Sequence, residues 1–378
     1  MRRFLFVLAL AVLSPVQAAR AHPGSGIVVD RNGNVFFVMG GSSVLRKLEP
    51  NGRVTIFAED ERLRLPHHLV LGRDGSLYVA SDYDGRVWRV GSDGSLAEYF
   101  NTNRIAAPSS VNIGSWGDPF TIDSAGNIYA LASPGAATIV RIGRDARVTP
   151  IAGRAIFGAL HFSTMAWGPD GALYLTDESR VWRIVGDSAS AIVPRGIQLL
   201  QAAGITIDGA GNIYVADYAE RRVIRLAPDG AVNTPDAVAR LRLRHPTGVT
   251  LSVNGDVYVL DNPVRGVAVW RVRGDRTERL YHRVDWQVYF AGTLLSLIAL
   301  LLALQTWVRK PSGTIDWLAW MLLAGVAIIG LYWFAGAVAV FSWLRHPILA
   351  LYLVAGWKSY RQLTRAQGSG GALAGECR

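Results

Sequence analysis

The sequence predicts an all-β, six-bladed propeller followed by α-helical transmembrane segments. Six gapless copies of one strand–turn–strand unit point to the propeller. Their spacing of about 44 residues is the length of a four-stranded blade. Two long uncharged apolar stretches after the last copy point to the membrane segments.

The chain begins Met1-Arg2-Arg3, and an apolar run from Phe4 to Leu13 leads to Ser14, Pro15 and small residues. That pattern reads as a signal peptide over residues 1–21, because the run is too short to span a bilayer. Cleavage is expected after Ala18 or just before His22. The propeller is then expected over 22–284, outside the cytoplasm.

The six units are GIVVDRNGNVFFV (26–38), HLVLGRDGSLYVA (68–80), PFTIDSAGNIYAL (119–131), TMAWGPDGALYLT (164–176), GITIDGAGNIYVA (204–216) and GVTLSVNGDVYVL (248–260). In each, a β-rich run meets a turn whose shared glycine (Gly33, Gly75, Gly126, Gly171, Gly211, Gly255) supplies the left-handed backbone that a tight hairpin needs. A second β-rich run follows, then an apolar-apolar-basic-apolar strand carrying Lys47, Arg89, Arg141, Arg183, Arg225 or Arg271. A further turn leads to a fourth strand, so six full four-stranded units are expected. Open sheet edges invite aggregation, and a radial array leaves only short ones. The recurring basic residue reads as a blade-building part, its stem on apolar surface and its head paired with an acid.

A membrane domain is expected over 285–366. Helices are placed at 288–308 and 317–341, each long enough for a hydrocarbon core of about 30 Å. Arg309 and Lys310 mark the loop between them as cytoplasmic. A third short segment at 347–363 reads as an interfacial helix, a re-entrant piece or a third span, and the basic residues after it favour three segments. Small residues recur in both helices, which suits close helix packing within the chain or with another subunit. Neither helix carries an ionisable residue, which argues against a transporter. Residues 367–378 form a Gly-rich tail.

The formal charge of +10 first suggests nucleic acid. Its distribution removes that reading: residues 22–287 hold 29 basic and 27 acidic residues. The excess lies in the targeting and membrane-flanking segments, as an orientation signal. One cysteine in 378 residues excludes a disulfide scaffold.

The segment GITIDGAGNIYVADYAERRVIRLAPDG (204–230) resembles an NHL repeat, and the six units together resemble an NHL-type six-bladed propeller over residues 22 to about 283. The resemblance implies a fold more than an activity, since such propellers include binding modules, lactonases and lyases.

Five of seven histidines (His22, His67, His68, His161, His245) fall just before a first strand, and Asp118 takes the matching place in the third unit. A propeller gathers such places around one mouth of its channel. His67, His68, Asp118, His161 and His245 are therefore the candidate metal ligands, with a donor set suited to Zn²⁺ or another divalent transition metal. If cleavage falls before His22, its amine and ring would form a copper-chelating terminus. The resemblance to gluconolactonases and regucalcin implies a divalent metal held mostly by Asp, Asn and Glu, whereas only Asp118 is acidic at these places. The amidating lyase, another NHL-type propeller, uses a histidine-bound zinc. Pro66-His67-His68-Leu69 looks like one of its strand starts, but its disulfides have no counterpart here.

No HExxH, GxSxG, GxxxxGK or CxxC motif occurs, so neither a catalytic residue nor a bound cofactor is predicted. The leading expectation is a membrane-anchored extracytoplasmic propeller serving as a protein-interaction scaffold or accessory subunit of a membrane complex. Its partners would be the lipid bilayer and a membrane or extracytoplasmic protein, with no nucleic acid. The alternative is a metal-dependent hydrolase or lyase, gluconolactonase-like or amidating-lyase-like, with its site at the histidine-bearing mouth.

Overall fold

The computed structural model describes residues 26–284 apart from 39–42, 64–65, 73, 82–84, 102–118, 133–137, 153–162, 178 and 263–265. The chain divides into two units, Met1–Arg283 and Val284–Arg378, and the first holds the propeller. The expected signal peptide, membrane helices and tail lie outside the described residues. Among the described residues, no helix is long and apolar enough to cross a membrane.

Six antiparallel sheets follow one another along the chain. Blade one is β1 (Ile27–Val29), β2 (Val35–Val38), β3 (Val44–Leu48) and β4 (Val54–Glu59). Blade two is β5 (Pro66–Leu71), β6 (Leu77–Ser81), β7 (Arg86–Val90) and β8 (Leu96–Asn101), and blade three is β9 (Phe120–Ile122), β10 (Ile128–Ala132), β11 (Thr138–Ile142) and β12 (Val148–Ala152). Blade four is β13 (Thr164–Trp167), β14 (Leu173–Thr176), β15 (Val181–Val185) and β16 (Ser188–Ile192). Among the described residues, blade five has three strands, β17 (Ala202–Ile207), β18 (Ile213–Asp217) and β19 (Arg222–Leu226). Blade six is β20 (Pro246–Leu251), β21 (Val257–Asp261), β22 (Gly266–Arg273) and β23 (Arg276–Val284).

The expectation of six full four-stranded units is therefore corrected in blade five. After β19 a single bridge joins Leu226 to Val232. Arg225 N then donates to Thr234 Oγ1 at 2.8 Å, and Asn233 N to Arg225 O at 3.0 Å. Pro235, which has no N–H to continue a ladder, starts a one-turn helix, α1 (Asp236–Ala239). Ala237 and Val238 of α1 pack with Val223 in the hydrophobic cluster between blades five and six.

The turns fold as their residues dictate. All six shared glycines have positive φ, between 73° and 84°. In blades one, three and five, Asp30, Asp123 and Asp208 each accept the backbone N–H groups two and four residues on and the amide of Asn34, Asn127 or Asn212. Each turn thus satisfies its own polar groups, as Asx turns do.

The recurring basic residue stands directly opposite an aromatic in every blade: Lys47 faces Phe36, and Arg89, Arg141, Arg183, Arg225 and Arg271 face Tyr78, Tyr129, Tyr174, Tyr214 and Tyr258. Its head bonds nearby: Lys47 to Glu49, Arg89 to Asp74, Arg183 to Asp170, Arg225 to Asn233 and Arg271 to Glu278. These contacts tie adjacent strands and turns within the blades.

Alternation around the ring adds a finer pattern. The Asp-x-x-Gly-Asn turn marks blades one, three and five, while Val-Trp-Arg in the third strand marks blades two, four and six (Trp88, Trp182, Trp270). Each of these tryptophans carries an arginine over its ring: Arg62 over Trp88, Arg180 over Trp182 and Arg279 over Trp270, at 5.0 to 5.7 Å. The ring thus reads as three two-blade repeats.

Among the described residues no strand is exchanged to close it, since blade one is built from residues 27–59 and blade six from 246–284. The seam is apolar packing of Ile27, Phe37 and Leu48 against Tyr258, Leu260 and Val267, with Tyr281 set 5.2 Å from Phe37 between ring centres.

Candidate functional site

The first strand of each blade starts at one face of the ring and ends in the glycine turn at the other. Of the sequence-predicted ligands, His67 and His68 in β5 and His245 just before β20 belong to the strand-start face. Counted back from the turn glycine, His161 and His245 lie ten residues away, His67 and Asp118 eight, and His68 seven. Side chains alternate along a strand, so one-residue offsets send neighbours in different directions. Asp118 and His161 lie outside the described residues.

Three strand starts carry a register shift against the second strand, between Pro66 and His68, Ala202 and Gly204, and Pro246 and Gly248. His67, Ala203 and Thr247 are the extra residues. A bulge re-aims its side chain and recurs beside functional sites. His68, next in line, is 2% exposed and pairs with Ala80 in the ladder.

His245 stands just before β20. Its ring lies against Tyr218 of blade five, 4.9 Å between centres. Its Nδ1 is buried and, among the described residues, has no hydrogen-bond partner; nor has the Thr247 hydroxyl. Burial, helped by the charge of Arg221, holds the imidazole below its usual pKa, and burial raises that of the Tyr218 phenol. A neutral imidazole with an open nitrogen can coordinate a metal or accept a proton.

Sequence reasoning missed three carboxylates at this face: Asp177, Asp217 and Asp261, which close the second strands of blades four, five and six and are 2%, 0% and 4% exposed. Their signal was present, in LYLTD (173–177), IYVAD (213–217) and VYVLD (257–261). Asp261 accepts the N–H groups of Arg244 at 3.0 Å and His245 at 2.6 Å. Asp217 accepts that of Gln201 at 3.2 Å and pairs with Arg222 at 3.4 Å. Asp177 accepts Ser179 N at 2.7 Å, Arg180 N at 2.8 Å and the Trp182 indole N–H at 2.7 Å. These buried acids are satisfied by local donors, which fixes the chain at the rim. Among the described residues, no group of three or more His, Cys, Asp or Glu is placed to hold a metal ion.

No family model matches the chain, and no curated protein matches it in sequence. By fold it is a six-bladed β-propeller. Its structural neighbours are of the gluconolactonase and virginiamycin lyase type. They include a protein of unknown function from Bacteroides thetaiotaomicron (TM-score 0.50, 17% identity, 68% of each chain covered). Virginiamycin B lyase from Staphylococcus aureus gives 0.46 and 17%, over 69% of this chain and 84% of that one. A gluconolactonase from Xanthomonas campestris gives 0.48 and 12%, over 68% and 88%. At such identities the likeness concerns the fold alone.

Proposed function

We propose that this chain is an NHL-type propeller anchored in a membrane by its C-terminal segments and displayed outside the cytoplasm, where it serves as a scaffold or accessory subunit of a membrane complex. The observation that carries this reading is the use of the buried carboxylates at the strand-start face. Asp177, Asp217 and Asp261 are spent on holding the rim, which gives a rigid surface suited to docking. The orientation signal and the small-residue faces of the sequence-predicted helices support a membrane partner. Isolation of the full chain in mild detergent tests it. A membrane protein co-purifying in fixed ratio is the expected result, and recovery as a lone monomer overturns it.

A second reading has specific support in the bulge at His67 and the open Nδ1 of His245. It makes the chain a metal-dependent hydrolase or lyase, with His67, His245 and the sequence-predicted His161 and Asp118 as ligands of a divalent metal such as Zn²⁺. Metal analysis of the purified protein decides it. One equivalent lost in His245→Ala and in His67→Ala favours the enzyme, and a metal-free protein after zinc loading and dialysis removes this reading.

A further inference from the structure

After α1 the chain reaches the start of β20 through a strap, Arg240-Leu241-Arg242-Leu243-Arg244. Burial alternates along it. Leu241 and Leu243 are buried in the cluster between blades five and six, and the three arginines are exposed. Asp261 pins the end of the strap to the strand-start face by accepting the Arg244 and His245 N–H groups, and its own carboxylate is buried. Two more exposed arginines stand at this face, Arg221 in the turn before β19 and Arg283 near the end of β23. Burial, then the charges of Arg221 and Arg244, hold His245 below its usual pKa. Burial, then the charges of Arg279 and Arg244, do the same to His282, the neighbour of Arg283. Arg244 thus links the strap to both of the other arginines.

Many cations elsewhere in the ring are matched by an acid, as Arg53 is by Glu49, Arg62 by Asp60, Arg183 by Asp170 and Arg273 by Asp256. Among the described residues, none of Arg221, Arg240, Arg242, Arg244 and Arg283 pairs with a carboxylate. The same segments expose two acids, Glu220 and Asp236, so positive charge prevails. Arg221 is also one of two described residues other than glycine with positive φ, at 56°. A Cβ disfavours that backbone, which glycine would adopt freely. The turn keeps an arginine where the fold alone would take glycine.

Successive strands of a blade run in opposite directions, so the fourth strand of blade six ends at the strand-start face, at Val284. The first sequence-predicted membrane helix begins at 288. Four extended residues reach at most about 14 Å. We propose that the strand-start side of blades five and six lies against the bilayer and holds anionic phospholipid head groups through Arg221, Arg240, Arg242, Arg244 and Arg283. A guanidinium meets a phosphate with two parallel hydrogen bonds. Basic residues within a Debye length of an anionic surface add their attractions together. The proposal rests on the anchored reading and names the sector of the ring that meets lipid, leaving the other blades to a protein partner.

The test places the full chain in nanodiscs of phosphatidylcholine alone, and of phosphatidylcholine and phosphatidylglycerol in equal parts. Hydrogen exchange is expected to slow at 218–222 and 240–245 in the anionic discs, while the turn at 208–212 on the opposite face keeps its rate. Sodium chloride at about 1 M, where the Debye length is about 3 Å, is expected to remove the slowing. Arg242→Gln reduces it about fivefold, the effect of losing one basic contact. Arg221→Gly also reduces it while leaving the unfolding midpoint unchanged or higher, which separates a lipid contact from a role in folding. Equal rates in the two kinds of disc overturn the proposal and leave the anchor standing. Failure of the chain to enter neutral discs overturns the anchored reading, and this proposal with it. Slowing that requires a co-purified acidic protein rather than phosphatidylglycerol overturns it in favour of a protein partner for these arginines.

Discussion

At the scale of single residues, Ala146 departs from the pattern of its turn. The corresponding positions in blades one, two and five are Gly52, Gly94 and Gly230, at φ of 82° to 88°, whereas Ala146 is held at 62°. A Cβ in left-handed backbone is disfavoured, and glycine removes that cost while adding some chain entropy. Ala146→Gly is expected to stabilise the fold by about 0.5–1 kcal/mol, read as a higher denaturant midpoint at constant slope. Asp170 gives a pH prediction. Burial alone would raise its pKa, but bonds from Arg183, the Ala172 N–H and Tyr174 prevail and hold it below its usual value. A carboxylate with a lowered folded pKa contributes stability above its unfolded pKa and loses it as pH falls through the folded one. Acid titration below about pH 4 should therefore destabilise the native protein more than Asp170→Asn, which lacks this group. These positions show what the sequence makes legible. A glycine forced by positive φ is visible because few other residues fit there. The histidines were visible as a cluster, yet their offsets of ten, eight and seven residues set them at different steps of the strand starts, and an extra residue stands at His67. A bulge leaves little trace in composition.

At the scale of elements, the inner strands of blades five and six meet backbone to backbone. A Cβ added at Gly204 would lie 2.8 Å from Gly248 Cα and 3.1 Å from Thr247 O. Gly204→Ala has no flexible side chain to displace, so the strands must part. A loss of about 1–3 kcal/mol is expected in equilibrium unfolding. The same substitution at Gly209, which has open space around it, should cost far less. The repeat made the first three strands of every blade legible, because alternation, turn glycine and basic residue recur together. The fourth strand carries the weakest signal. In blade five, Asn233-Thr234-Pro235-Asp236 is a strand stop that looks, in one sequence, like an ordinary turn.

At the scale of the whole molecule, the ring depends on one seam that, among the described residues, no shared strand reinforces. Phe37 is fully buried there, against Tyr281. Phe37→Ala is expected to cost about 3–5 kcal/mol, as a large buried aromatic does. Trp182→Phe, which keeps most of the ring but loses the bond to Asp177, should cost less; urea denaturation of both compares them. How the ring closes was beyond the sequence, since an apolar strand face looks the same whether its partner is the next blade or the first. The seam also sets an order of events for the growing chain. Each blade is one continuous stretch and can pair its strands as soon as that stretch is available. Phe37 must wait for Tyr281, across nearly the whole propeller, and joining such distant points is the slow, entropically costly step. Until then the molecule is an open arc with an apolar face at each end. Those two faces, rather than any finished surface, are where a folding helper would hold it and where a second unfinished copy would stick.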